Sequence, residues 1–478
     1  MRRLLCCLLA VLWPLITGAE TTQDDPPGQT LRGKTPQELD RLILDLSRAI
    51  KQNSKNPSDY FNRGLAQFER GNLVPRKLVL SDLFDEQGRE ANEAFDGYMK
   101  AAMADFSQAI ELNPRYEDAY FHRALAARER DPEISTGKAD ILKVLEINPR
   151  NRDALLILAE TEGDRHVAIS DCTKAIEIDP NHAEAYYDRA NFELWFEHDA
   201  DALNDLARAI QLNPKEIKFY HARAEMEEWS QDWKDYIRDL SQEIALDPEK
   251  SIYYSCRAAA KERMGDWNGA LQDYNHEMQL SPAAEESYCR RGYVKQRLGD
   301  TDGALDDFNQ SIKSEPGFMM GYYCRSAIKQ GRGDLAGALA DLRAGLKAEP
   351  EESEDPNIHI WIVQMLQGKK TAADQELSAY VAKKQRFYVH VLMPQIALFF
   401  LGRMSEADFL KAAQVHDRYD TGKEWEGWYY AGYKRLLSGD KTTAAEYFRR
   451  CAAMKKIDIN LLLVNGELEY LGSCVGGL

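Results

Sequence analysis

The sequence predicts an all-α fold, an α-solenoid built from stacked helix–turn–helix repeats. The phrases "AIELNP", "AIEIDP", "EIALDP" and "EMQLSP" belong to one recurring signature, and apolar residues between them return at helical spacing. The last five of the seven intervals between successive signature prolines are 34 residues each. These prolines are Pro114, Pro149, Pro180, Pro214, Pro248, Pro282, Pro316 and Pro350.

The first 19 residues predict a secretory signal peptide. Arg2 and Arg3 precede a short apolar stretch, and Thr17 and Ala19 supply the small residues of a cleavage site before Glu20. A membrane anchor is the alternative, but the apolar stretch is too short to span a bilayer. We therefore expect an exported chain, periplasmic or secreted, with a flexible segment over 20–37 and no integral membrane span after cleavage.

The repeat array is predicted over 38–350. Residues 38–54 form a capping helix, and the first full unit carries an insertion at 72–97. In later units a Gly-Asp pair or its like marks the turn, as at Gly265-Asp266, Gly299-Asp300 and Gly333-Asp334, and small residues stand where the two helices would touch. Weaker helical pairs and a closing helix are expected over 351–478.

These features together resemble the tetratricopeptide repeat (TPR), in the variant "YYxRG…GD…A..D…AI.L.P". The resemblance implies a right-handed superhelix with a concave groove that binds proteins or peptides. The segments "IALFFLGRMSEADFLKAA" and "EGWYYAGYKRLLSGDKTTAAEYFRRCAAM" further resemble the C-terminal part of NlpI-type TPR lipoproteins of bacterial outer membranes. Those proteins are adaptors for a periplasmic protease and for cell-wall hydrolases. The chain departs from them at Glu20, where a lipoprotein has cysteine.

An arginine and an aspartate recur on the apolar faces of the helices, and their repetition indicates a structural rather than a catalytic role. A buried arginine needs a carboxylate partner, and its planar fork suits a bidentate contact. Arg325 could pair with Asp341 of its own repeat or with Asp307 of the preceding one, and we favour Asp307. The predicted inter-repeat ladder comprises Arg63, Arg123, Arg189, Arg223, Arg257, Arg291, Arg325, Asp45, Asp105, Asp171, Asp205, Asp239, Asp273 and Asp307, with Asp140 and Asp341 in the same register.

One unit departs from the series. Leu158 replaces the arginine, and this unit is three residues short of the period. On the inter-repeat pairing, Asp140 loses its partner and should face water or find Arg152 or Arg165.

In TPR proteins the concave face is lined by first-helix positions two before, two after and five or six after the repeating arginine, so the resemblance implies a groove at these positions here. Rigid aromatic side chains mixed with charges suit a protein surface. The alternative is a solvated wall without a fixed ligand. The predicted groove residues are Phe61, Leu65, Phe121, Tyr187, Asn191, Trp195, His221, Glu225, Trp229, Arg263, Cys289, Tyr293, Arg297 and Tyr323.

Composition and motifs limit the classes of function that the chain can have. The chain has 478 residues and a net charge of −17, which disfavours nucleic acid as a partner. We find no motif for catalysis, metal or cofactor binding, and therefore expect no enzyme and no cofactor. The first hypothesis is an exported scaffold or adaptor for other proteins. The second is a structural protein that assembles with copies of itself.

Overall fold

The chain forms an α-solenoid of helical repeats. The structure is a computed structural model that describes residues 31, 33–75, 86–131, 137–194, 199–282, 285–348, 356–384, 392–414 and 424–453. Within these ranges it contains 23 helices and no strand. The chain divides into two compact units, Met1–Pro214 and Lys215–Leu478, so the predicted array over 38–350 is shared between them.

In the first unit each helix packs on the one before and the one after it. Its helices are α1 (Pro36–Gln52), α2 (Pro57–Asn72), α3 (Glu86–Leu112), α4 (Glu117–Arg130), α5 (Lys138–Ile147), α6 (Arg152–Thr161), α7 (Arg165–Ile178), α8 (Ala183–Glu193) and α9 (Asp199–Leu212).

The second unit continues the same consecutive packing. Its helices are α10 (Ile217–Ser230), α11 (Trp233–Leu246), α12 (Ser251–Met264), α13 (Trp267–Leu280), α14 (Glu285–Arg297), α15 (Thr301–Ser314), α16 (Met319–Gly331), α17 (Leu335–Ala348), α18 (Pro356–Leu366), α19 (Lys370–Lys384), α20 (Met393–Phe400), α21 (Glu406–Ala413), α22 (Glu424–Leu437) and α23 (Lys441–Ala453).

The described ranges also locate the predicted end segments. The capping helix is α1, which begins with a capping box between Thr35 and Glu38. The insertion 72–97 is partly helical, because α3 begins at Glu86. The signal peptide, residues 76–85 of the insertion and the closing helix (459–472) lie outside the described residues.

The Gly-Asp pair makes the turn inside a repeat. Gly265 adopts a φ of +79°, a left-handed conformation that favours glycine. Asp266 then caps α13, because its carboxylate accepts a hydrogen bond from the Gly269 amide at 3.0 Å. In the repeat of α10 and α11, Gln231 takes the left-handed position with a φ of +61°.

The small residues set the distance between paired helices. A Cβ added to Gly292 on α14 would lie 2.7 Å from the ring of Phe308 on α15. Gly64 and Gly432 stand in the same relation to Phe106 and Phe448, so the rule extends to the C-terminal pair α22 and α23. A side chain at these glycines would force the two helices apart.

The repeating arginine binds the aspartate of its own repeat. Arg325 donates from Nε and Nη2 to the two carboxylate oxygens of Asp341, at 2.9 and 2.7 Å. The same bidentate pair, with distances of 2.6 to 2.9 Å, joins Arg63 to Asp105, Arg123 to Asp140, Arg189 to Asp205, Arg223 to Asp239, Arg257 to Asp273 and Arg291 to Asp307. The predicted inter-repeat pairing is therefore wrong.

The link to the preceding repeat uses a different acceptor. Nη1 of Arg257 donates to the Ser241 hydroxyl at 3.0 Å, and Nη1 of Arg325 donates to the Asn309 side chain at 2.7 Å. These acceptors stand two residues after the preceding aspartate. In these repeats the arginine binds the aspartate of its own repeat with two donors and a side chain of the preceding repeat with a third. Before Arg223 the acceptor position holds Ala207, which has no such group.

Two individual expectations fail for the same reason. Asp45 has no repeat arginine of its own, and it pairs with Arg48 on the surface of α1 instead of with Arg63. Asp140 is bound by Arg123, so it keeps an arginine partner and the expectation that it had none is wrong. Because Leu158 replaces the arginine of this repeat, the aspartate without a repeat arginine is Asp171. It is buried and binds the exposed Lys174 at 2.7 Å.

The tyrosine of the "YYxR" motif supports this arrangement. Tyr322 lies three residues before Arg325, and its hydroxyl donates to the Pro316 carbonyl at 3.3 Å. Its ring lies 5.8 Å from the Arg325 guanidinium carbon, and five other repeats have the same contact. The signature proline, tyrosine and arginine therefore serve one packing unit.

Candidate functional site: the first-helix face of the second unit

The structure sorts the predicted groove residues into buried and accessible sets. Five that were expected on the groove surface are core residues of their units: Phe61, Leu65, Cys289, Tyr293 and Tyr323. Phe121, Tyr187, Asn191 and Glu225 are half-buried, while His221, Trp229, Arg263 and Arg297 are exposed, and Trp195 lies outside the described residues.

Neighbouring rings explain why Tyr293 and Tyr323 are buried. Trp267 meets the ring of Tyr293 edge-on at 5.7 Å between centroids. The Tyr323 hydroxyl lies 2.6 Å from Nε2 of His359, a fully buried imidazole whose pKa burial lowers to about 3. These tyrosines fasten helices together, and a ligand cannot reach them in this structure.

The accessible residues of the second unit occupy matching places on successive first helices. Trp229, Arg263 and Arg297 each stand six residues after the repeating arginine, near the ends of α10, α12 and α14. Trp229 is 58% exposed, and the apolar Met264 and Leu298 beside the two arginines are also exposed. We call Trp229, Arg263, Met264, Arg297 and Leu298 the exposed edge.

Both arginines of this edge rest on tryptophan rings. The Arg263 guanidinium carbon lies 4.9 Å from the ring of Trp233, and Arg297 holds the same position over Trp267. Stacking limits the rotamers of each arginine, and a guanidinium held in this way suits a bidentate contact with a carboxylate. Trp233 and Trp267 were not among the predicted residues. Their position at the first residue of each second helix is the signal that could have found them.

Acidic residues precede the basic ones. Glu228 on α10 is exposed, and Glu225 is half-buried beside His221. The pKa of Glu225 is raised by its burial, and Glu228 and Glu243 raise it further. The first-helix face of the second unit is thus negative on α10 and positive on α12 and α14.

A second set of acidic groups lies beneath this face and was missed by sequence reasoning. Four residues after the repeating aspartate, the first unit has Ala109, Val144, Ala175 and Ala209, whereas the second has Glu243, Glu277, Ser311 and Gly345. Glu243 is buried, and its carboxylate oxygen lies 3.4 Å from Nδ1 of His221. An acidic residue at a position that other repeats fill with alanine is the signal that could have found it.

Within the described ranges, no His, Cys, Asp and Glu side chains form a group of three or more suited to a metal ion. The same ranges hold no helix with the length and apolar character needed to cross a membrane. The described cysteines, Cys172, Cys256, Cys289, Cys324 and Cys451, are free thiols.

Comparison with known proteins identifies the repeats in both units. Models of the tetratricopeptide repeat match residues 172–211 and 285–318. No curated protein is significantly similar to the chain.

Several solved structures share the helical-repeat fold with this chain. YrrB, described as a TPR protein with an unusual peptide-binding site, is 16% identical, covering 38% of this chain and 95% of its own with a TM-score of 0.34. PilF of Pseudomonas aeruginosa is 20% identical, covering 43% and 94%, with a TM-score of 0.35. The C-terminal part of a repeat protein from Cytophaga hutchinsonii is 13% identical, covering 48% and 95%, with a TM-score of 0.40.

At such identities and TM-scores, these structures carry no information on what this chain binds. The two family matches fall on α7 to α9 in the first unit and on α14 and α15 in the second, where the arginine–aspartate pair and the small helix contacts were described above. The chain therefore contains tetratricopeptide repeats, and proteins built from these repeats generally mediate protein–protein interactions.

Proposed function

We propose that the chain is an exported scaffold that binds a segment of another protein on the first-helix face of its second unit. The observation that carries the proposal is the exposed edge, where an accessible tryptophan precedes two arginines held on tryptophan rings. Rigid aromatic and arginine side chains are the residue types that dominate binding energy at protein interfaces.

The charge order on this face indicates the kind of partner segment. Arg263 and Arg297 favour acidic side chains, while Glu225 and Glu228 favour basic ones. A segment that meets all of them spans three first helices, and an extended or helical peptide has that reach. The net charge of −17 favours protein over nucleic acid as the ligand.

Export and a role in the cell envelope belong to the same proposal. They are supported by the signal-like first 19 residues and by the NlpI-type resemblance of the C-terminal segments. N-terminal sequencing of the protein purified from its native cells tests export, and we expect a mature chain beginning at Glu20. An intact Met1 would overturn this part. The proposal includes no catalytic activity.

The binding face is tested by photo-cross-linking in native cells. We expect p-benzoylphenylalanine in place of Trp229 to form an adduct with a partner protein, and the adduct to be lost when Arg263 and Arg297 are both changed to alanine. Glu249 is the matched control site, because it is exposed in the turn at the other end of the same repeat. No adduct at 229, or an equal adduct at 249, would overturn the binding face. An adduct between two copies of this chain would favour self-assembly.

A further inference from the structure

Glu243 is a buried carboxylate whose hydrogen bonds are missing. It is 0% exposed, and neither of its oxygens has a hydrogen bond of good geometry, the nearest described nitrogen being Nδ1 of His221 at 3.4 Å. The corresponding Glu277 differs, because it accepts a hydrogen bond from Ser287 at 2.6 Å. A buried carboxylate without hydrogen bonds is costly, and a positive charge beside Glu243 would offset that cost.

His221 is placed to supply that charge. Its ring lies between two carboxylates, with Nδ1 at 3.4 Å from Glu243 and Nε2 at 3.8 Å from Glu225. The contact with Glu243 raises the pKa of His221, and Glu225 adds to the rise. His221 itself is more than half exposed, so its imidazole ring can turn outward into solvent.

Lys218 stands one turn before His221 on α10, and its ammonium lies 5.6 Å from the ring of Phe219. Several other titratable groups near His221 and Glu243 add no positive charge. Glu228 on α10 is acidic and exposed. Tyr236 on α11 and Tyr253 and Cys256 on α12 have pKa values raised by burial, which keeps them neutral. When His221 is neutral, the pocket therefore holds two carboxylates with a third at its rim.

We propose that His221, Glu225 and Glu243 form a binding pocket for the ammonium or guanidinium group of a lysine or arginine in the bound segment, for which protonated His221 competes. The inference rests on the proposed function, because it names one contact of the segment bound on this face. The cation enters as the imidazole ring turns outward, and it replaces the proton that His221 would otherwise carry next to Glu243.

The two cations exclude each other, which makes binding depend on pH. Below the pKa of His221, affinity for the ligand cation should fall about tenfold per pH unit, because one proton must leave for each cation bound. Conversely, a saturating ligand cation should lower the pKa of His221 by about one unit or more.

The test is a titration of His221 by NMR in the full chain labelled with 13C at histidine Cε1, with His221→Gln identifying the signal. The probes are Nα-acetyl-lysine amide and Nα-acetyl-arginine amide, and Nα-acetyl-norleucine amide is the neutral control. We expect the two cationic probes to lower the pKa of His221 and the neutral one to leave it unchanged. No change with excess lysine amide would overturn the pocket.

Matched variants localise the effect. Glu243→Ala should abolish the response, and alanine occupies this position in three repeats of the first unit. Glu277→Ala should retain the response, because Glu277 already has a hydrogen-bond partner. An undiminished response in Glu243→Ala would overturn the assignment.

Should Glu243→Ala fail to fold, His221→Gln gives an independent answer. Saturation-transfer NMR should show lysine amide binding to this variant without pH dependence between about pH 6 and 8. Pronounced pH dependence in His221→Gln would contradict the competition. The two proposals can fail separately. If the small cationic probes do not shift the pKa of His221, the cross-linking result at Trp229 still stands. If cross-linking at Trp229 fails, the titration result still stands.

Discussion

Two kinds of repeat share the arginine–aspartate pair but differ four residues after the arginine, at what we call the +4 position. In the second unit Lys261, Lys295 and Lys329 occupy it, and each ammonium lies 2.7 to 2.8 Å from the paired aspartate. Glu227 occupies it in the first repeat of that unit. In the first unit Glu193 occupies it in one repeat, and the uncharged Gln67 and Ala127 occupy it in the other two. In the lysine repeats the aspartate therefore has two cationic neighbours, the arginine and the lysine. In the glutamate repeats the arginine has two acidic neighbours, the aspartate and the glutamate.

The glutamate repeats accommodate the extra carboxylate by protonation and, in one case, by a further arginine. Burial, with the nearby Asp239 adding to it, raises the pKa of Glu227 to about 8. Arg238 also contacts both carboxylates, at 3.1 Å from Glu227 and 3.2 Å from Asp239. Burial, with Asp205 adding to it, likewise raises the pKa of Glu193 to about 7. We therefore expect the +4 residue to decide how strongly the stability of each repeat depends on its arginine.

Removing the arginine from each kind of repeat should give the largest difference. Arg223→Ala leaves the fully buried Asp239 beside Glu227, with only the half-exposed Arg238 nearby, and should cost about 3–5 kcal/mol of unfolding free energy. Arg257→Ala leaves Asp273 bound to Lys261 and should cost about 2 kcal/mol. Urea denaturation at pH 8 measures both. Equal losses would show that the +4 residue is irrelevant.

Titrating the glutamate repeat should give the next largest effect. A carboxyl whose pKa is raised on folding stabilises the fold below its unfolded pKa, and this stabilisation is lost as pH rises through the folded value of about 8. Glu227→Gln should remove this loss, making the variant more stable than wild type at pH 8.5 by about 1–2 kcal/mol.

The measurement is the difference in unfolding free energy between wild type and Glu227→Gln from pH 4.5 to 8.5. Using the difference cancels Glu193, Glu262 and His221, whose raised pKa values have the same sign of effect. A difference that stays constant over this range would mean that Glu227 titrates normally.

The sequence was sufficient to predict the helical repeats and the structural role of the arginine–aspartate series. It did not settle the partner of each arginine, because both candidate aspartates stand on helices that neighbour the arginine. The serine, threonine and asparagine residues two positions after the aspartates carried the missing information. They are the acceptors in the preceding repeat, as Ser241 is for Arg257, and this leaves the aspartate for its own repeat.

The accessibility of the predicted groove residues followed from the sequence less completely. Of the residues selected by position along the first helix, Trp229, Arg263 and Arg297 are exposed, since these lie near helix ends, and their role in binding stays a prediction. The same rule selected Tyr293 and Tyr323, which are buried because Trp267 and His359 cover them. Periodicity in one helix cannot show what a side chain of another helix covers. Glu243 was missed for a different reason. Its position in the repeat indicates a core residue, and repetition alone gives no sign that a charged residue occupies it.

A smaller effect is expected at the +4 position of the lysine repeats. Lys295→Met keeps the aliphatic stem and removes the ammonium, while Asp307 retains both hydrogen bonds from Arg291. We expect the free energy of unfolding to fall by less than about 1 kcal/mol, because the lysine is partly solvated. In 0.5 M salt this loss should be smaller by a few tenths of a kcal/mol, on the order expected for a screened surface charge. Thermal unfolding at low and high salt measures this. A loss as large as that of Arg291→Ala would contradict the prediction, because it would mean that the lysine stabilises the repeat as much as the arginine does.

The smallest effect is expected where the arginine is absent. Asp171 is buried, yet its described cationic partner is Lys174, whose side chain is mostly exposed, and Leu158 occupies the arginine position. Asp171→Asn removes a buried charge that gains little from this solvated lysine, so its cost should be about 0 to 0.5 kcal/mol. Asp205→Asn, in the next repeat of the same unit, removes the bidentate partner of Arg189 and should cost about 2–3 kcal/mol. Urea denaturation of the two variants side by side measures the contrast. If Asp171→Asn destabilises as strongly as Asp205→Asn, then Lys174 replaces the arginine fully, and the value of the aspartate does not depend on which cation binds it.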